Sequence, residues 1–279
     1  MPELPEVETV ARGLAQIWVG HRFTAAEARR PNLRWPLPQD LGQRLIGARV
    51  ERVHRRAKYG LVDTDRGDTM VFHLGMSGRM RLDPDVIEKH DHVIFSTDDG
   101  HVVAFNDARR FGSLDFAETG RINEHRLFAN LGPEPLGLGL TADYLTEMFA
   151  GRLAPAKALL LDQRVIAGLG NIYVCEALHM AGVHPARPGG NVTADEISRL
   201  IPAIREVLEA AIAAGGSTLR DYAQLDGELG YFQKDWRVYG REGEPCPICA
   251  DPVVRLVQSG RSSFFCKSCQ PQESHDGRI

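Results

Sequence analysis

The residues best suited to chemistry stand near the two ends of this sequence. The chain opens Met1-Pro2-Glu3-Leu4-Pro5-Glu6. Pro2 and Glu3 could be no more than the lead-in to a helix. Once Met1 is removed, however, Pro2 is a free secondary amine beside a carboxylate. An α-amino group has a reference pKa of roughly 7.7–8.0, far below that of lysine, so much of it is neutral and nucleophilic near pH 7. Near the other end, four of the five cysteines form the C-x-x-C pairs Cys246/Cys249 and Cys266/Cys269, with 16 residues between them. Two such knuckles suit one Zn2+ held by four thiolates. The intervening segment reads as a hairpin turning near Ser259-Gly260. It is too small to bury much core, so the metal would supply its folding free energy. Two disulfides are the alternative, and they need an oxidising compartment. Cys175 falls in an apolar helical stretch and reads as a buried small hydrophobe.

The elements that must position these groups are legible from composition and pattern. With 279 residues, 43% hydrophobic and 25% charged, the chain has room for two domains with real cores. No apolar run approaches the roughly 18 residues of a membrane span. The acidic N-terminus lacks a secretory pattern, so a cytosolic protein is expected. The formal net charge of −4 gives no global pull toward nucleic acid. Local charge matters more for phosphate contact, and Arg49, Arg52, Arg55, Arg56 and Lys58 crowd one stretch. Arg109 and Arg110 form a second cluster.

Val7, Val10, Leu14 and Ile17 recur at helical spacing, predicting an amphipathic helix over 6–19 that stops at Gly20. From His21 to Phe116 short Val-, Ile- and Phe-rich segments alternate with turn pairs, predicting an antiparallel β-sandwich. The Pro/Gly-rich stretch Leu131–Leu140 reads as a domain boundary, and the pattern beyond it is helical. Thr193 with Glu196 makes a capping box for a long helix toward Ala213. The expected fold class is therefore α+β. The expected domains are a sandwich over 1–131, a helical domain over 132–235, a zinc hairpin over 236–269 and a disordered tail over 270–279.

Several stretches occur together in order: MPELPEVE, RRAKYG, HLGMSG, KHDH, DARRFG, DQRVIAGLGNIYV, DGELGYFQ and the cysteine ribbon. Together they closely resemble bacterial formamidopyrimidine-DNA glycosylases, which remove 8-oxoguanine and ring-opened purines. The match runs from Pro2 to Cys269. The resemblance implies a helix–two-turn–helix motif in the helical domain. It also implies one structural Zn2+, a monomer, damaged double-stranded DNA as partner, and no small-molecule cofactor.

Carried over residue by residue, Pro2 resembles the nucleophile that forms a Schiff base with the sugar, and Glu3 the acid that protonates the opening ring. Lys58 and Arg261 resemble the cations that meet phosphates at the lesion and assist β- and δ-elimination. His90, Arg152 and Asn171 match phosphate contacts, and Lys157 a lysine near the lesion pocket. Met76, Arg109 and Phe111 resemble the three residues that enter the duplex where a nucleotide has left. Apart from that carry-over, the polar segment over 217–236 is a candidate to contact the lesion through Thr218 and Tyr222. His73 reads as structural. One departure stands out: the family often has proline where this chain has Ala108, which would loosen the turn before Arg109. Two other readings are an endonuclease VIII-like enzyme for oxidised pyrimidines and a non-catalytic zinc-ribbon DNA-binding protein.

Overall fold

The computed structural model describes residues 2–216 and 232–272. Contacts divide the chain into two units, Met1–Ala129 with Ala211–Gln233, and Asn130–Ala210 with Lys234–Ile279.

The first unit opens with α1 (Leu4–Trp18). It starts two residues earlier than the spacing predicted, because Glu3 serves as N-cap and its backbone N–H donates to Glu6 Oε2 at 2.7 Å. Pro5 falls in the first turn, where a missing N–H costs nothing. Eight strands follow: β1 (Phe23–Ala28), β2 (Val50–Arg56), β3 (Tyr59–Thr64), β4 (Asp68–His73), β5 (Arg79–Leu82), β6 (Asp91–Thr97), β7 (Val102–Asn106) and β8 (Ser113–Glu118), with a short α2 (Leu41–Leu45) after β1. They form two four-stranded sheets, ordered β1-β6-β7-β5 and β2-β3-β4-β8. Every pairing within these sheets is antiparallel.

Alternation along the strands gives each sheet one apolar face. Phe23, Phe95 and Phe105 from one sheet join Val62, Phe72 and Leu114 from the other in a single core, which Val7, Val10, Leu14 and Trp18 of α1 complete. This is the expected sandwich, with α1 as part of its filling. The basic stretch on β2 is less of a patch than its composition suggests. Arg55 turns inward, its Nε 3.0 Å from Glu8 Oε2 and its Nη1 donating to the Ala57 carbonyl at 2.8 Å.

The second unit holds α3 (Ala142–Phe149), α4 (Ala156–Leu161), α5 (Asn171–Ala181), all but the last turn of α6 (Ala194–Ala213) and the hairpin β9 (Val253–Gln258) and β10 (Arg261–Cys266). Thr141 caps α3 through its hydroxyl, which accepts from Tyr144 N–H at 3.2 Å. The Leu131–Leu140 stretch, expected to be a boundary, is tied to α6: Arg205 donates to the carbonyls of Pro135, Gly137 and Leu140. Between α4 and α5 the chain makes two turns, organised by the Gln163 side chain. Its amide donates to Leu161 and Leu169 carbonyls and its Oε1 accepts from Gly168 N–H.

The hairpin expected to stand as its own domain packs on α5, where Cys175 meets Val238, Val253, Tyr239 and Phe264. Glu176 of α5 accepts from the backbone N–H groups of Arg237, Val238 and Tyr239 at 2.8–3.0 Å. Burial pushes its carboxyl up, and the three N–H groups pull the other way. The expected tail also starts too early. Gln270 is fully buried and donates to the Val183 carbonyl at 2.8 Å, while its Oε1 accepts from Cys266 N–H. Those bonds belong to the ribbon's fold, which the cysteine spacing alone could not reveal.

Candidate active site and zinc centre

In the first unit the α1 N-terminus fixes Pro2 and Glu3. Both are buried, and the bond from Glu3 N–H to Glu6 holds the backbone that carries them. Lys58 occupies the two-residue turn between β2 and β3, after Ala57 at a φ of 53°. A non-glycine residue rarely adopts that conformation. It leaves Lys58 only 8% exposed.

His73, at the end of β4, feels the Lys58 charge. Burial, Lys58 and Arg34 together hold its pKa down at about 4. Its Nδ1 accepts from Gly75 N–H at 2.9 Å, so the neutral ring carries its proton on Nε2. His73 also lines a pocket of about 600 Å³ with Asn32, Arg34, Met76, Arg109 and Phe111. Met76 is 36% and Phe111 42% exposed, which strand-core packing would not allow. The Arg109 guanidinium lies 4.9 Å over the Phe111 ring. Ala108 takes the second position of a turn closed by Arg110 N–H donating to the Asp107 carbonyl at 3.3 Å. The turn therefore forms without proline. His90, half-buried, is tied to the same turn, its carbonyl accepting from Asp107 N–H at 2.9 Å.

In the second unit Arg152 is exposed after α3 and Arg261 is exposed at the start of β10. Asn171, the first residue of α5, donates through Nδ2 to the Ser262 carbonyl at 2.9 Å, while its Oδ1 is buried without a hydrogen bond. Lys157 differs from its expected place among the DNA contacts. It is 2% exposed. Its Nζ donates to Ser262 O at 2.8 Å and Ser263 Oγ at 2.7 Å. The apolar run around it, Ala-Lys-Ala-Leu-Leu-Leu, makes α4 a buried helix and carries the lysine inward. Lys157 and Asn171 thus both grip the residue next to Arg261.

The two roles separate experimentally. Arg152→Ala should lower the slope of log affinity against log salt by about 1. Lys157→Met should leave that slope unchanged and cost roughly 1–3 kcal/mol in stability, because it strips a charged donor from buried acceptors. Salt-titrated duplex binding and thermal melts of the two variants check this.

The four ribbon cysteines meet as the spacing predicts, their sulfurs lying within 4.8 Å of one another. Cys249 and Cys266 Sγ are 3.4 Å apart and Cys246 and Cys269 Sγ 3.8 Å. A tetrahedron with Zn–S bonds of about 2.3 Å has edges near 3.8 Å, so the donor set fits Zn2+. Burial and the neighbouring thiols push the Cys269 thiol well up, a repulsion that a divalent cation would relieve. His179 of α5 brings its Nε2 to 3.3 Å from Cys246 Sγ, the kind of outer partner that orients a ligand sulfur.

Residues 1–114 match the formamidopyrimidine-DNA glycosylase N-terminal domain, residues 131–223 the H2TH domain of the same enzymes, and residues 243–272 the zinc finger found in FPG and IleRS. The chain belongs to the formamidopyrimidine-DNA glycosylase family. The formamidopyrimidine-DNA glycosylase of Novosphingobium aromaticivorans is 62% identical, over 97% of this chain and 100% of its own length. That of Rhizorhabdus wittichii is 57% identical over the same shares. Among solved structures, MutM (Fpg) from Thermus thermophilus superposes with a TM-score of 0.88 at 41% identity, covering 98% of this chain and 100% of that one. A Lactococcus lactis Fpg mutant in complex with a Fapy-dG-containing DNA gives 0.90 at 34% identity, covering 97% and 100%.

Two further residues border these sites. His73 shares the pocket of the exposed Met76 and Phe111 and feels the charge of Lys58. Its place three residues before Met76 in HLGMSG was the available signal. Tyr239 sets its hydroxyl 3.4 Å from Asn171 Nδ2, and no local pattern marks it. Thr218 and Tyr222 lie outside the described residues. No described helix is long and apolar enough to cross a membrane.

The neutral His73 has a consequence for stability. Its pKa falls from 6.5 unfolded to about 4 folded. The folded state therefore holds its full advantage above pH 6.5 and loses it as the pH drops toward 4, on the order of 3 kcal/mol from this group. Melts at pH 7 and pH 4.5 should show a larger drop for the parent than for His73→Gln.

Proposed function

We infer that the chain is a DNA glycosylase of base excision repair that excises damaged purines from duplex DNA and then cleaves the strand as an abasic-site lyase. The observation that carries the reading is the buried Pro2-Glu3 pair, locked by its hydrogen bond to Glu6 at the start of α1. A rigid secondary amine beside a carboxylate is what Schiff-base chemistry at a sugar needs.

In the proposed sequence the Pro2 nitrogen, freed by removal of Met1, attacks C1′ of the everted nucleotide and the damaged base departs. The Glu3 carboxylate takes the proton that the attacking Pro2 nitrogen sheds and passes it to the ring oxygen as the sugar opens, leaving an iminium between Pro2 and C1′. The iminium draws electrons from C2′ and makes its protons acidic. Loss of one proton expels the 3′ phosphate, and a second elimination expels the 5′ phosphate. Water then releases Pro2. Lys58 and Arg261 meet the phosphates, the guanidinium of Arg261 offering a two-pronged fit. His90, Arg152 and Asn171 hold the backbone of the duplex. Met76, Arg109 and Phe111 fill the gap in the stack, since eversion costs a few kcal/mol that an inserted side chain offsets. Lys157 contributes by holding the hairpin behind Arg261. The zinc ion, held by Cys246, Cys249, Cys266 and Cys269, supplies the fold of that hairpin.

The relatives support the partner: Lactococcus lactis Fpg is known bound to DNA containing Fapy-dG and to DNA containing an abasic site. Reduction with borohydride on a duplex carrying 8-oxoguanine should leave protein covalently joined to DNA through its terminal proline. A purine assignment predicts faster excision from that duplex than from one carrying thymine glycol. The opposite preference would move the chain to the endonuclease VIII-like reading, and absence of any covalent adduct to the non-catalytic one.

A further inference from the structure

The three side chains assigned to the duplex gap sit on two separate turns, and one buried carboxylate ties both. Asp107 is fully buried. Its Oδ1 accepts from Ser77 Oγ at 2.7 Å, and its Oδ2 accepts from Gly112 N–H at 2.7 Å. Ser77 directly follows Met76, and Gly112 directly follows Phe111. Ser77 Oγ also accepts from Arg109 N–H at 3.2 Å. Each member of the set is thus bonded to Ser77 or Asp107 itself or through the next residue in sequence.

The two turns touch through backbone. At Gly75, with a φ of +67°, a Cβ would lie 2.4 Å from the Phe111 carbonyl carbon, and at Gly112 one would lie 2.9 Å from the His73 oxygen. Only residues without a side chain permit that approach. Asp107 is itself moored to the sheet, with its N–H donating to the His90 carbonyl at 2.9 Å and its carbonyl 2.9 Å from His92 Nε2.

This arrangement explains how the Ala108 turn keeps its shape. Proline at the second position of a turn presets φ, and Ala108 does not. Arg110, at a φ of 59°, sits in a region that a non-glycine residue holds only when its surroundings over-determine it. Hydrogen bonds to Asp107 and Ser77 supply that determination.

We propose that Asp107 is a positioning residue that holds Met76, Arg109 and Phe111 in register, so that they enter the duplex as one body. The assignment rests on the gap-filling role given to those three residues above. Met76 and Phe111 are partly exposed before DNA arrives, so core packing alone does not fix them. A buried charge-assisted clamp behind them provides the order that packing would provide elsewhere.

The test compares two substrates, one duplex carrying a formamidopyrimidine and one carrying a preformed abasic site. The abasic duplex has no damaged base to unstack, so it depends less on the inserted residues. Asp107→Asn keeps the shape but loses the charge and one acceptor, so its oxygen can still serve Gly112 N–H only if its amide N–H replaces the acceptor that Ser77 Oγ now donates to. The ratio of base excision to abasic-site cleavage should fall on the order of tenfold or more, as misplacement of a positioned group does. Adding Ala108→Pro should restore part of the ratio by presetting the turn. Phe111→Ala serves as reference and should also lower it. If Phe111→Ala lowers the ratio and Asp107→Asn leaves it at the parent value or slows both substrates alike, the clamp is refuted and the gap-filling reading stands. If Phe111→Ala leaves the ratio unchanged, the gap-filling reading fails and the clamp with it. Should Asp107→Asn not fold, Ser77→Ala removes the same bridge, and its unchanged ratio would equally refute the proposal.

Discussion

Pro2→Gly should reduce borohydride-trapped complex and strand cleavage by on the order of 100-fold while leaving duplex binding largely in place. Glycine is small enough for Met1 still to be removed, so the terminus keeps an amine. What it loses is the ring. The pyrrolidine fixes the nitrogen relative to the α1 start, where Glu3 is anchored to Glu6 at 2.7 Å. A primary amine on a glycine rotates freely, and displacement of a reacting atom by about 1 Å can cost on the order of 100-fold. The iminium it forms would also be a secondary one, able to shed its proton and lose its charge, so it is a weaker electron sink for elimination at C2′. Gel analysis of trapped adduct and of strand scission on an 8-oxoguanine duplex reads both effects, and fluorescence anisotropy reads binding. Cleavage by Pro2→Gly at the parent rate would remove the amine from the mechanism.

Cys249→Ser should strip the zinc and, with it, the placement of Arg261. The four sulfurs form a closed all-thiolate set, and structural zinc in such modules contributes an apparent free energy of roughly 10–16 kcal/mol near pH 7. The hairpin's own apolar burial is small: Leu256 and Val257 are exposed, and besides its packing on α5 only Val253, Phe265 and the ligand Cys266 are buried apolar side chains. Without the metal, Lys157 and Asn171 would still offer donors to Ser262, but the strand they grip would have no fixed course. Losing one charge-assisted phosphate contact of roughly 1.5–3 kcal/mol weakens binding about 10- to 100-fold. Metal content measured with a chromogenic chelator should fall to zero, and duplex affinity should fall with it. Zinc-free protein of undiminished affinity would mean that the ribbon does not carry the phosphate contact.

Lys157 and Met76 end in opposite environments. Both match family positions in the sequence, Met76 among the residues that enter the duplex and Lys157 near the lesion pocket. Met76 proved exposed beside Phe111, because the HLGMSG turn leaves β4 before the methionine and Gly75 brings the backbone against Phe111. Lys157 proved buried, because an apolar α4 carries it inward to the hairpin behind Arg261. Neither outcome is written in the local pattern around the residue. Exposure at a turn depends on what packs across from it, and here that partner lies far along the chain, at Phe111 for Met76 and at Ser262 and Ser263 for Lys157.

The amino-acid sequence by itself determined the zinc centre, the sandwich and the capped helices, since each follows from short-range spacing that constrains its own neighbourhood. C-x-x-C aims two sulfurs at one point, period-two strands make one face apolar, and Thr193 with Glu196 starts a helix, whatever the rest of the chain does. Only the tertiary structure decided that the hairpin packs on α5, that Gln270 belongs to it, that burial and the Lys58 and Arg34 charges hold His73 neutral, and that Asp107 ties two turns together. Those features depend on hydrogen bonds and burial between residues far apart in the chain. Such contacts form only once the core has closed around them, because burial is what turns a weak polar contact into a fixed one.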